Sequence, residues 1–84
     1  MARRPKTEEA IRPLKARIGE AIRKHRQAKQ FTQEGFADHI EMHRAYYGEI
    51  ERGTKDFQLS TFERVCVGLE THMWVIVKDA ESMS

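Results

Sequence analysis

Apolar residues in this chain come in short stripes spaced three and four apart, and each stripe is cut off within a few turns. Leu14, Ile18, Ile22 and His25 fall at i, i+4, i+8 and i+11. That is one face of a helix that Pro13 can open and that runs to about Lys29. Thr32 reads as the N-cap of a short second helix with Phe36, Ala37 and Ile40 inward, Gly35 standing where a capping box would place Glu or Gln. Glu41–Met42–His43 interrupts it, and a third helix runs from about Arg44 to Arg52 until Gly53 stops it. Ser60 as N-cap with Glu63 three residues on opens a fourth, along which Phe62, Val65, Cys66 and Leu69 repeat at helical spacing. The run Met73–Val77 reads two ways. Its β-branched content favours a strand locally, whereas Met73, Ile76, Val77 and Ala80 fit a helical stripe. A chain patterned in this way predicts a bundle of five short helices, all-α.

Length and composition narrow the function classes. Eighty-four residues make one domain, which buries roughly 60–65% of its unfolded surface and supports one modest core. With 39% hydrophobic against 33% charged residues, the composition suits a small globular fold rather than a disordered chain. The longest apolar run is the five residues Met73–Val77, where a membrane span needs about twenty. No apolar stretch follows the basic N-terminus to make a signal peptide. The single cysteine, Cys66, excludes an internal disulfide framework and a Cys-built zinc site. A soluble, cytoplasmic domain is expected, with residues 1–12 a flexible basic arm, 13–80 the folded domain and 81–84 a frayed tail.

The net charge of +2 conceals a polar layout. Residues 1–30 hold ten Lys/Arg and three acids, a balance of +7, while the remainder holds five basic and ten acidic side chains, a balance of −5. A basic front on an acidic body suits a surface that meets a polyanion; a well-solvated basic helix would give the same count.

Two short helices joined by a tight turn, the second with polar residues on its outer face, form a helix-turn-helix pattern at about residues 33–52. Thr32-Gln33-Glu34, Phe36-Ala37, His43-Arg44-Ala45-Tyr46 and Ile50-Glu51-Arg52-Gly53 stand at the family's separation with no gap. Over residues 18–80 the chain thus resembles the lambda-repressor/Cro-like (XRE) family of helix-turn-helix regulators, in its short form similar to restriction–modification controller proteins and small phage or plasmid repressors. The resemblance implies a compact five-helix DNA-binding domain and aligns Met73–Ala80 with a family helix. Ala37 falls where the two helices of the motif cross, and a small side chain there lets their backbones approach.

The outward face of the third helix, by 100° steps, comprises Arg44, Ala45, Gly48, Glu49 and Arg52. In the resembled family the positions of Arg44, Ala45 and Glu49 face base edges. Arg44 suits a bidentate pair with guanine, Ala45 a thymine methyl and Glu49 the cytosine amino group. Gln33, Tyr46, Arg52 and Lys55 are expected on the DNA backbone, Gln33 at a helix N-terminus whose free N–H groups favour anions. Arg3 and Arg4 are the arm residues that would enter a minor groove. The family pairs the arginine matching Arg26 with the glutamate matching Glu51, which implies a structural salt bridge. Gln30 and Glu41 stand where the family has turn glycines, His25 where it has Leu and Tyr47 where it has Ile or Val.

Other residues receive ordinary readings. His39 and His43 straddle the turn rather than sharing a helix face, so no metal site is expected. Cys66 has core spacing, His25 is expected half-buried with a polar partner, and Trp74 with Val75 is the candidate dimer interface. No catalytic set or cofactor motif emerges, so the chain is not read as an enzyme. These readings converge on a double-stranded DNA-binding transcriptional regulator, a repressor or autoregulator that binds a palindromic operator as a homodimer. The alternative is an antitoxin-like module that neutralises a protein partner and autoregulates its operon.

Overall fold

The computed structural model describes residues 12–83. Pro13 sits at the N-cap of α1 (Leu14–Ala28), where its missing N–H removes no helical hydrogen bond. Ile18, Ala21 and Ile22 are buried along one face, whereas Leu14 stays 43% exposed. It lies at the rim of the fold, bordering a shallow depression with Asp56 and Phe57.

Thr32 caps α2 (Gln33–His39), its hydroxyl accepting from the Gly35 N–H at 2.9 Å. Phe31 just before the cap packs edge-on against Phe36, ring centroids 5.3 Å apart, a hydrophobic staple that sets how the chain enters the helix. α3 (Arg44–Arg52) ends at Gly53 with φ +74°. The same staple overturns the expected start of the next helix. Phe57 packs on Phe62 with ring centroids 5.7 Å apart, which draws the chain into helical register earlier than Ser60. Gln58 is therefore the N-cap of α4 (Leu59–Gly68) and no side chain caps it. Ser60 lies inside the helix, its hydroxyl on the Gln58 side-chain oxygen at 3.4 Å, so the Ser60–Glu63 box does not form.

The ambiguous run is helical, within α5 (Met73–Glu81). Ile76 and Ala80, four apart, are both fully buried, and the helical turn that brings both onto the core outweighs local β preference. Every regular element among the described residues is a helix.

α1 is the central element, packed against α3 on one side and α5 on the other. The approach to α3 is close. A Cβ at Gly19 would stand 2.4 Å from the Ile50 carbonyl oxygen, and one at Gly53 would stand 2.4 Å from the Ala16 Cα. On the other side the buried Arg17 donates to the carbonyls of Arg12 at 3.0 Å and Ala80 at 3.2 Å, tying the start of α1 to the end of α5. His25 is indeed part-buried with a polar partner, Asp79 on α5 at 2.7 Å.

Both ends of the fold extend past the boundaries drawn from sequence. Arg12 pairs with Glu20 at 2.6 Å, so it belongs to the domain; residues 1–11 of the expected arm lie outside the described residues. Glu81 is helical, the Ser82 hydroxyl donates to the Lys78 carbonyl at 2.7 Å, and Met83 packs on the core.

Candidate nucleic-acid interface

Four helix ends share one hydrogen-bond pattern. After α1, α2, α3 and α4 the chain turns through a left-handed residue, at Gln30 (φ 65°), Glu41 (φ 55°), Gly53 (φ 74°) and Glu70 (φ 57°). In each, the next N–H reaches back five residues: Phe31 to Arg26, Met42 to Ala37, Thr54 to Glu49 and Thr71 to Cys66. These are Schellman motifs. The one at Glu41 forms the turn of the helix-turn-helix and sends α3 out across α2, with Ala37 fully buried at the crossing.

α3 is fastened from beneath by a polar cluster. Glu51, with a side chain 2% exposed, receives a fork from Arg26, Nε to Oε2 at 2.6 Å and Nη2 to Oε1 at 3.0 Å. Tyr47, one turn earlier on α3, donates its hydroxyl to Oε2, and the Gln33 amide donates to Oε1 at 3.1 Å. The remaining Nη of Arg26 donates to the Phe31 carbonyl at 2.8 Å. One carboxylate thus joins α1, the start of α2 and α3. Burial by itself would raise the Glu51 carboxyl, but the donors Arg26, Tyr47 and Gln33 outweigh it and hold the group below the usual carboxylate range. Burial, reinforced by Glu51, pushes the Tyr47 hydroxyl well above its ordinary range. Glu51 is therefore the ionised acceptor and Tyr47 the neutral donor at any physiological pH.

The opposite face of α3 is open. Arg44 and Ala45 in its first turn and Arg52 in its last are exposed, and Tyr46 and Glu49 are half-buried. Lys55 beyond the helix lies 4.0 Å from the Glu49 carboxylate. Gly48 departs from the outward face read from helical steps. It is buried, with Arg52 and Gln33 side-chain atoms 3.1 and 3.4 Å from where a Cβ would sit. Glycine there leaves room for the ends of these two side chains against α3. Gln33 itself is half-buried with its amide turned to Glu51. Arg44 forms a fork with Asp38 of α2, Nε to Oδ1 at 3.2 Å and Nη2 to Oδ2 at 2.7 Å.

The remaining candidates lie elsewhere. Trp74 on α5 is 63% exposed, stacked beside His72, with Val75 half-buried next to it. Arg3 and Arg4 lie outside the described residues. His39 packs its ring on Phe31, centroids 5.0 Å apart, and His43 is the N-cap of α3. Burial raises the Cys66 thiol to about 11, which keeps it protonated and unreactive. Sequence reasoning missed Asp38, Arg17 and the part of Tyr47 in the Glu51 cluster. Only the last had a local signal, the i, i+4 spacing of Tyr47 and Glu51.

The family model described as a helix-turn-helix domain matches residues 17–72, from within α1 to the end of the turn before α5. The chain belongs to the helix-turn-helix domain family. Among curated proteins it is similar to the control protein C.MunI of Mycoplasma sp, 33% identical over 69 residues that cover 81% of this chain and 93% of that protein. Among solved structures it superposes on the clp gene regulator ClgR of Corynebacterium glutamicum with a TM-score of 0.82 and 27% identity, covering 88% of this chain and 96% of that one. It also superposes on the restriction–modification controller protein C.Esp1396I, solved as a tetramer with its natural 35 base-pair operator, with a TM-score of 0.73 and 26% identity. That match covers 82% of this chain and 96% of the controller chain. With these matches the chain is an XRE-like helix-turn-helix regulator, similar to the restriction–modification controller proteins. No helix among its described residues is long and apolar enough to cross a membrane.

Proposed function

We propose that the protein is a sequence-specific, double-stranded DNA-binding transcriptional regulator, a repressor or autoregulator that binds a palindromic operator as a homodimer in the cytoplasm. The observation that carries this reading is the two-sided construction of α3: one face fastened through Glu51, the other presenting Arg44, Ala45 and Glu49 outward. A rigid helix with exposed donors is what a major groove can read. Arg44 is assigned to a guanine, Ala45 to a thymine methyl and Glu49 to a cytosine amino group. Tyr46, Arg52 and Lys55 by their side chains, and Gln33 by the free backbone N–H at the start of α2, flank these positions and are assigned to phosphates, which set register and affinity rather than sequence. Arg3 and Arg4 are assigned to an adjacent minor groove. The operator-bound controller relative supports DNA as the ligand, and homodimerisation would set two copies of α3 about 34–36 Å apart on successive turns.

The test is selection of binding sites from random duplex DNA by the purified protein at near-physiological salt, with Arg44→Ala in parallel. A palindrome enriched by the wild type, with a guanine position lost in the variant, is the expected result. Salt-sensitive binding without any enriched site would overturn the reading and direct attention to a protein partner.

A further inference from the structure

The fork between Arg44 and Asp38 spans the two helices of the motif at the edge of the proposed reading face. Both side chains are more than half exposed, 59% and 58%, so the pair adds little to the stability of the fold. Its orientation is informative. A guanidinium carries five N–H donors in one plane. Asp38 takes the Nε–H and one hydrogen of Nη2, leaving both hydrogens of Nη1 and the second of Nη2. Those remaining donors include the end-on pair, one from each Nη, whose spacing matches O6 and N7 of guanine. The carboxylate thus occupies the side of the guanidinium that a guanine contact does not need.

We propose that Asp38 is a positioning residue for base reading, holding the Arg44 guanidinium by its Nε side so that its Nη1/Nη2 edge is presented to a guanine. This rests on the DNA-reading function proposed above and assigns a residue of α2 to the specificity of α3. An unsupported arginine samples many rotamers and is as free to reach a phosphate as a base; a fork on one side biases it towards one orientation before DNA arrives. Asp38 also opposes non-specific binding, because a carboxylate beside the groove repels phosphates, and Glu34 on the same helix adds to the negative field around Arg44. The two effects act in one direction, raising the ratio of cognate to non-cognate affinity.

The experiment measures binding of the full chain, by fluorescence anisotropy, to its selected site and to the same site with the Arg44-dependent guanine replaced. The wild type, Asp38→Ala, Arg44→Ala and the double variant are compared, each checked for an unchanged melting temperature. The expected result is a loss of discrimination at that position of about two- to fivefold in Asp38→Ala, smaller than the loss in Arg44→Ala, with non-cognate affinity unchanged or tighter. No further loss is expected when Asp38→Ala is added to Arg44→Ala. Asp38→Asn, which keeps one acceptor oxygen, should fall between wild type and Asp38→Ala. The proposal is overturned if Asp38→Ala retains full discrimination while Arg44→Ala loses it, since Arg44 would then read unaided. If Arg44→Ala also retains it, the base-reading role of Arg44 has failed and the positioning role falls with it.

Discussion

Glu51 is the residue on which the orientation of α3 depends, because its carboxylate is the common acceptor for Arg26, Tyr47 and Gln33. Removing a buried carboxylate leaves the Arg26 guanidinium uncompensated, and such one-sided losses cost about 3–5 kcal/mol. Glu51→Ala is expected to lose that amount in urea denaturation; an unchanged midpoint would show that the cluster does not hold the fold. The charge state adds a pH dependence. The folded carboxyl lies below its unfolded value, so the unfolded chain takes up the proton first as pH falls. The stabilisation is complete above the unfolded value of about 4.3 and is lost as pH descends towards the folded one. Melting temperatures of wild type and Glu51→Gln should therefore keep their gap above the unfolded value of about 4.3 and converge as pH falls below it. A constant gap would mean that the glutamate is not the ionised acceptor. The Arg26–Glu51 pairing was implied at this scale by resemblance to a family motif. The contributions of Gln33 and Asp38 were not legible, because their partners lie 18 and 6 residues away across a turn that no helical period describes.

At the scale of elements, turn chemistry decided where helices start and stop. Three of the four Schellman ends place a glutamine or glutamate in the left-handed region, where a side chain costs roughly 1–2 kcal/mol. The substitutions for turn glycine at Gln30 and Glu41 were visible in the sequence; Glu70 was not, since nothing around it marks a turn. The backbone hydrogen bonds of the motif and the packing on either side over-determine the conformation. Glu41→Gly should thus stabilise the domain by about 0.5–1 kcal/mol, the relieved strain exceeding the added freedom of the unfolded chain. Thermal denaturation checks it, and a lowered melting temperature would indicate that Glu41 is not strained. The Ser60 cap failed because a capping box is only one way to begin a helix, and the Phe57–Phe62 staple set the start earlier. The run Met73–Val77 became helical because tertiary burial of Ile76 and Ala80 overrode a local preference for strand.

At the scale of the molecule, the proposed homodimer needs an apolar surface, and Trp74 offers a large side chain that the monomer leaves 63% exposed. Aromatic anchors of this kind carry a disproportionate share of interface energy. In sedimentation velocity the wild type should shift towards a dimer with rising concentration. Trp74→Glu should remain monomeric over the same range with an unchanged far-ultraviolet circular dichroism spectrum. Assembly that survives the substitution would place the interface elsewhere.

By itself the sequence determined the all-helical class, most helix limits and the position of the helix-turn-helix, because apolar period, Thr32, Gly53 and Pro13 act through neighbours a few residues away. It also carried the motif by which the family is recognised. Tertiary structure alone decided that Gly48 is covered, that Gln33 turns inward and that Asp38 grips Arg44. Those outcomes depend on which surfaces α1 and α2 bring against α3, and hydrogen bonds between helices form only where packing has already placed donor and acceptor within about 3 Å.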